Sequence, residues 1–549
     1  MRSSTILRVS LAGALLLHAS LAMTQEMETE LVKLRPDIPG DFFSPAVGAG
    51  RTLLRLQDDF DIYSWETFLA INWPVAPGEK PDPAFLIGNE KAGDHPTKNG
   101  DAPTAWENWR IVQELFLSDR RPPAEWAEDY GDDQSPEKRR LALRPADYLP
   151  GLTEEEAGKQ DVLTADGRKL GLKEVIARPE IRVINKIGKM HTWFATEQSL
   201  DSGPLIDRNG RYVRYEILLN RDAYEFVRKN ELYTGEGQRT YVKNYERIVF
   251  PAGRFELSDP ANPASGPKSD PDVDGKRMKT EQIGAILLKA AWKELSAEEE
   301  ASGRFHTRQT LVYTPSDPKN HPTGISFRLV PLGLVGLHIV HKSEDVAQWN
   351  WSTFEHVDNC PEYGDRDLAD DPKAARRYSF FDPVLFRGRG RIEAEQSLNR
   401  APPRPWHPAG IEDDSRRTQV VRMIPQTAAV KALNAKFQAK LKAVNAKTVW
   451  QYYQLISTQW PTRPAGLFKS HEERIKADVL KSSSADILGG PAPPFLASSV
   501  METYIQGRTP NSSSSCMECH ANALSRSGHF ADFTFILERA KDPPHDRKN

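Results

Sequence analysis

The sequence predicts an α+β fold, with helices at both ends around a central, mainly antiparallel sheet and a short, chemically distinct C-terminal segment. Three observations predict it. Apolar and aromatic residues recur at helical spacing from Leu56 to Trp73 and again from Thr427 to Val444. Between residues 204 and 360 the period changes to two, which is the signature of half-buried strands. An irregular stretch bearing several Arg and Pro residues, 361–425, then separates the strands from the returning helices.

Taken in order, residues 24–50 show little periodicity and read as a surface arm. The helix at Leu56–Trp73 places Phe60, Tyr63, Phe68 and Ile71 near one face, and Pro74 closes it. A Pro- and Gly-rich loop runs from Ala76 to Pro103. Thr104-Ala105-Trp106-Glu107 then forms a capping box that predicts a second helix to about Leu117. Residues 120–180 are charged and punctuated by proline, and no element is assigned there. Asp207-Arg208-Asn209-Gly210 is a tight turn, after which Tyr212, Arg214 and Glu216 alternate with Val213, Tyr215 and Ile217. Further strands are predicted at Gly284–Trp292, Arg304–Tyr313, Ile325–His341 and Gln348–His356. Helices are predicted at Thr427–Val444 and Thr448–Ser457, and short ones at Met501–Gln506 and Ala531–Ala540. Trp73-Pro74 and Trp460-Pro461 form a weak echo, each closing a predicted aromatic-rich helix.

Composition narrows the class. The 549 residues carry a formal charge of −3, with 39% hydrophobic and 27% charged residues and 41 prolines, which describes a loop-rich globular chain with no electrostatic case for nucleic-acid binding. Arg2 and Arg8 precede an apolar run from Val9 to Leu17 and a small-x-small site at Ser20-Leu21-Ala22, so residues 1–22 read as a cleavable signal peptide. That run is too short to span a bilayer, which takes about 20 residues. The later apolar stretch Leu329–Val340 is short and follows Arg328, so it reads as a buried strand, and no integral membrane anchor is expected after cleavage. The remaining chain divides into a large α+β domain, 23–490, and a C-terminal segment, 491–549.

The stretch that names a chemistry is Cys516-Met517-Glu518-Cys519-His520. Two thiols three positions apart on a helical turn suit the two vinyl groups on one porphyrin edge, and the histidine that follows suits the iron. This Cys-x-x-Cys-His stretch resembles the haem-attachment site of c-type cytochromes. The resemblance covers five residues and implies one covalent haem c, with Cys516 and Cys519 as thioether anchors and His520 as proximal ligand. It also implies attachment outside the cytoplasm, which agrees with the signal peptide and predicts a periplasmic protein. With two thiols given to haem, Cys360 stands alone as a buried or half-buried thiol, and no intrachain disulfide is available. Only 29 residues follow His520 and none is methionine, so the segment is not a complete cytochrome c domain. The haem-bearing segment is expected to dock against the larger domain.

A distal ligand is then sought elsewhere. His356, flanked by Glu355 and Asp358, is the first candidate, ahead of His338, Met501 and His529. His338 and His341, three apart on a strand, are expected on opposite faces. Cys516, Cys519, His520 and His529 have an alternative reading as zinc ligands, disfavoured by the adjacency of Cys519 and His520. A redox dithiol is disfavoured by the polar run Asn511–Ser515 ahead of the motif. Separately, Asp270, Asp272, Asp274 and Glu281 match the spacing of a calcium loop, with two departures: Arg277 takes an apolar place, and the Pro-rich lead-in cannot be an entering helix. A solvated acidic turn is the alternative. The function expected is one-electron transfer with a redox partner protein. The alternatives are a peroxidase-like haem-dependent oxidoreductase with an open distal site, or a haem-based ligand sensor.

Overall fold

The structure is a computed structural model of the 549-residue chain, and it describes residues 34, 36–40, 53–75, 103–117, 119–126, 153–164, 166–176, 178, 182–184, 203–255, 280–314, 326–343, 346–365, 378–384, 396–402, 418–462, 490–506 and 515–541. In chain order the strands are β1 (Arg110–Ile111), β2 (Asp161–Thr164), β3 (Lys169–Gly171), β4 (Arg182–Ile184), β5 (Arg214–Leu219), β6 (Arg254–Phe255), β7 (Thr280–Gln282), β8 (Ile286–Glu294), β9 (Thr307–Thr314), β10 (Ser326–Ser343), β11 (Val346–His356), β12 (Tyr453–Pro461) and β13 (Pro491–Ala492). Eleven of them form one open sheet whose main path is β1-β5-β8-β10-β11-β12-β13, while β6 and β7 pair apart. Pairing is antiparallel except for β2 with β10 and β4 with β9. The α+β class and the mainly antiparallel centre are as the sequence predicts.

The spine of the sheet is β10. Its first half, up to Gly333, runs beside β9, and its second half, from Gly336, runs beside β11. Strand β8 flanks Leu332–His341 on the other edge. Because side chains alternate along a strand, one face of β10 and β11 carries Leu337, Ile339, His341, Ser352, Phe354 and His356, and the other carries His338, Val340, Thr353 and Glu355.

Two helices cover the first face. Helix α1 (Leu53–Ile71) is buried nearly all round in its second half, with Trp65, Phe68, Leu69 and Ile71 fully enclosed. Phe68 stacks on Phe354 with ring centroids 4.2 Å apart. Asn72 donates to the Phe68 carbonyl at 2.8 Å and closes the helix. After the short helices α2 (Arg221–Lys229) and α3 (Gly235–Tyr245) comes α4 (Ala428–Val444), capped by Thr427. Trp65 of α1 stacks on Phe437 of α4. Buried Asn434 accepts from Trp65 and from the Leu455 amide and donates to the Leu455 carbonyl, so α1, α4 and β12 share one satisfied amide.

Two predicted helices are corrected. The capping box at Thr104 is present, with Glu107 accepting from the Thr104 amide at 2.9 Å, but it opens a single turn, Ala105–Asn108, followed by β1. Tertiary bonds override the helix there: Glu107 also accepts from Arg308 and contacts His306, and Trp106 donates to Asn72. The predicted helix Thr448–Ser457 is a turn, Val449–Tyr452, leading into β12. Strand β12 is buried on both faces, which erases the alternation that would have marked it. The Trp73/Trp460 echo therefore joins a helix end to a strand end and is no repeat. In the 491–549 segment, β13 pairs with β12, so the segment begins inside the main sheet. Residues 1–22 lie outside the described residues, and no helix among the described residues is long and apolar enough to cross a membrane.

Candidate functional site

The second face of the sheet carries a polar row in register. Lys289 on β8 lies opposite His338 on β10, and His338 lies opposite Thr353 on β11. One step along the strands, Leu287, Val340, Trp351 and Gln459 form a parallel row. The C-terminal segment settles on these two rows.

Gln459 holds the start of the motif. Its side-chain oxygen accepts from the Met517 amide at 2.8 Å and from the Ser515 hydroxyl at 3.1 Å. Ser515 in turn accepts from the Glu518 amide, which starts the one-turn helix α5 (Cys516–His520). The Cys519 amide bonds to the Ser515 carbonyl at 3.0 Å, so Cys516 and Cys519 sit on one side of α5, separated by a turn. Cys516 is half-buried, its sulfur 3.7 Å from the Leu496 carbonyl, and burial pushes its thiol well above the usual range.

His520 lies against Trp351 and Phe535, with ring centroids 4.5 and 5.0 Å away. Its Nδ1 is 2.8 Å from the Phe533 carbonyl, which can only accept, so Nδ1 bears the proton and Nε2 is left with its lone pair. Nε2 makes no hydrogen bond among the described residues. Burial lowers the pKa of this ring to about 4 against the opposing pull of the Phe533 bond, so the imidazole is neutral at pH 7. A neutral ring with Nδ1 tied to a carbonyl is the ligating form of histidine.

Near this ring stands Glu502. It bonds His338 Nε2 at 2.9 Å and the Ser498 amide at 3.0 Å, with Lys289 3.7 Å away. Burial would raise its pKa, but the charges of His338 and Lys289 outweigh it and hold the carboxyl at about 2. His338 Nδ1 meets the Thr353 hydroxyl at 2.9 Å, so both its nitrogens are engaged. The turn carrying Glu502 is anchored by buried Glu355, which accepts from Ser498, from the Ser499 amide and from Arg422.

The structure brings Cys516, Cys519 and His520 together and sets His338 within electrostatic reach of His520. It does not bring His356 there. His356 points to the opposite face, stacks on Phe305 at 4.0 Å, bonds the Arg304 carbonyl through Nε2 and accepts from the Asp358 amide through Nδ1. The alternation of β11 excludes it, because Trp351, which touches His520, lies an odd number of residues away. His341 also faces the helices, between Tyr63 and the Ile283 carbonyl, which bears out its opposition to His338. Met501 packs on Gly336 in the core, and His529 bonds Ser527. Among the described residues no three His, Cys, Asp or Glu side chains are grouped to hold a metal ion, so the zinc set does not form. Asp270, Asp272 and Asp274 lie outside the described residues, and Glu281 falls in β7. Cys360 is a buried thiol, its pKa pushed up to about 11 by burial.

Sequence reasoning missed Glu502, Lys289, Gln459, Phe533 and Asp532. Lys289 left a signal, being the one charged residue within Ile286–Trp292. The others act through tertiary contacts that no local pattern announces. The donor set fits a covalently held haem, with two thiols on one side of a turn and a neutral imidazole whose Nε2 is uncommitted. No protein-family model, curated protein or solved structure matches the chain.

Proposed function

We propose that the protein is an exported c-type haem protein that passes single electrons through one covalent haem. Cys516 and Cys519 would hold the porphyrin by thioether bonds, and His520 would supply the proximal nitrogen. The observation that carries this reading is the His520 ring, neutral and protonated at Nδ1 by its bond to Phe533. When bound, haem supplies one-electron chemistry at iron, with a potential tuned by axial ligation, hydrogen bonding and burial. The chain does the rest. Gln459 and Ser515 fix the turn, Phe533 fixes the tautomer, and Trp351 and Phe535 shield the ring. The signal-like pattern of residues 1–22 supports a periplasmic location, and electron transfer calls for a redox partner protein. Intact-mass measurement of correctly exported protein tests the reading: an added haem mass supports it, and a bare polypeptide overturns it.

A second reading is favoured by one observation. Among the described residues, His338, His341 and His356 each have both nitrogens engaged, and Met501 is packed in the core. With His529 left as the one candidate bonded through Nδ1 alone, that supports an open position on iron and hence a peroxidase-like or ligand-sensing role. A spectrum that shifts with carbon monoxide, cyanide or peroxide favours it, and a low-spin spectrum indifferent to them favours electron transfer. Turnover with a peroxide and a reductant then separates enzyme from sensor.

A further inference from the structure

The geometry points to Asp532 as a positioning residue, the anchor of a strained turn that presents the Phe533 carbonyl to His520. This rests on the haem reading only for its purpose, because the contacts themselves belong to the polypeptide.

Asp532 and Phe533 both have positive φ, 48° and 63°. Two consecutive non-glycine residues in that region, one of them bulky, are disfavoured and persist only where the surroundings hold them. Here three separate elements do so, and all of them grip Asp532. Lys342 at the end of β10 bonds Oδ1 at 2.9 Å, and this ion pair is almost fully buried. The Phe250 amide bonds Oδ2 at 2.8 Å. Trp349 on β11 donates its indole N–H to the Asp532 carbonyl at 2.9 Å. Trp349 itself has φ of 67°, and the Lys342 ammonium lies 5.6 Å over its ring. Three bulky or charged residues in an unfavourable backbone region thus converge on one turn, and that turn delivers one carbonyl to one imidazole. The turn buries Phe533 in the core and at the same time aims the Phe533 carbonyl at His520 Nδ1.

Asp532 therefore selects the Nδ1-protonated tautomer of His520 from a distance of one residue, and Lys342 and Phe250 hold Asp532. The ring is expected to lose its tautomer preference when this hold is removed, even before any haem is attached.

The test compares two double variants with the parent by nitrogen-15 NMR of the His520 ring in haem-free protein at pH 7.5. Lys342→Met with Asp532→Asn removes both charges but keeps the acceptor for the Phe250 amide, and it should retain the single Nδ1-protonated pattern. Lys342→Met with Asp532→Ala removes the acceptor too, and it should lose that pattern as an Nε2-protonated form appears. After haem loading, only the second variant should show a shifted iron–histidine vibration in the ferrous state. A folded Asp532→Ala double variant with the parent ring pattern overturns the inference. Should it fail to fold, Lys342→Met with Asp532→Leu, which fills the same space without an acceptor and without relieving the positive φ, gives the same readout, and an unchanged ring pattern there is equally fatal. Absence of a haem mass in the parent protein would sink the haem reading alone and leave the NMR comparison intact.

Discussion

The two faces of the central sheet are built differently, although they share the same strands. Under α1 and α4 the face is made of stacked rings: Phe68 on Phe354, Trp65 on Phe437, with Asn434 as a satisfied polar tie. Under the C-terminal segment it is made of ion pairs and directed hydrogen bonds: Lys289 and His338 with Glu502, Lys342 with Asp532, and Arg422 with Glu355. Apolar stacking stabilises without strict direction, whereas buried ion pairs gain little net stability and are best explained by the geometry they enforce. The helix face supplies stability, and the tail face spends some of it on placing the motif.

Breaking each face in turn should give different signatures. The largest effect belongs to Cys516→Ala with Cys519→Ala, which should abolish the covalent mass addition completely while far-ultraviolet circular dichroism stays that of the parent. Next, Phe68→Ala removes a fully buried ring from the helix face and should cost about 3–5 kcal/mol in urea unfolding without moving the haem spectrum of the folded protein. A coupled loss of both would break the division of labour proposed for the two faces.

A third prediction concerns pH, and its groups also lie on the helix face. Burial pushes Asp61 up to about 7 from 3.8, against hydrogen bonds from Thr458 and Gln57. The folded state then holds a proton that the unfolded chain releases, so this contribution is present below 3.8 and lost as pH rises through about 7. His341 runs the other way. Burial pushes it down to about 4 from 6.5, so its contribution is full above 6.5 and lost as pH falls towards 4. Between these limits the two slopes oppose. Asp61→Asn should therefore expose the His341 slope, with the variant's stability rising by on the order of 3 kcal/mol from pH 4 to 7 where the parent's profile stays nearly flat. Superimposable denaturation profiles for parent and variant would show that these groups do not set the response. The smallest effect is that of His356→Gln. It should leave the absorption spectrum unchanged and cost about 1–2 kcal/mol, since a glutamine cannot keep both buried hydrogen bonds and the stack on Phe305.

The sheet was legible where one face of a strand differs from the other. The alternation at Tyr212–Ile217 and the tight turn at Asp207, whose carboxylate accepts from the Asn209 and Arg211 amides, mark β5 directly. Strand β12 was not legible because it is buried on both sides, polar residues included, and the helix predicted after Thr104 was lost to long-range partners of Glu107. At the site, the grouping of Cys516, Cys519 and His520 on one turn was legible, since they are neighbours in sequence. Its surroundings were not. Glu502 meets His338 across 164 residues and Lys342 meets Asp532 across 190, and no local pattern spans such distances.

Gln459 gives the arrangement a built-in proof-reading step. Its one amide oxygen holds both the Ser515 hydroxyl and the Met517 N–H, and it can do so only because β12 lies in the register that pairs Gln459 with Trp351. A slip of one residue would turn that amide towards α1 and present the shorter Thr458 or the non-accepting Trp460 in its place. A misthreaded β12 would thus unseat the turn that carries the cysteine pair.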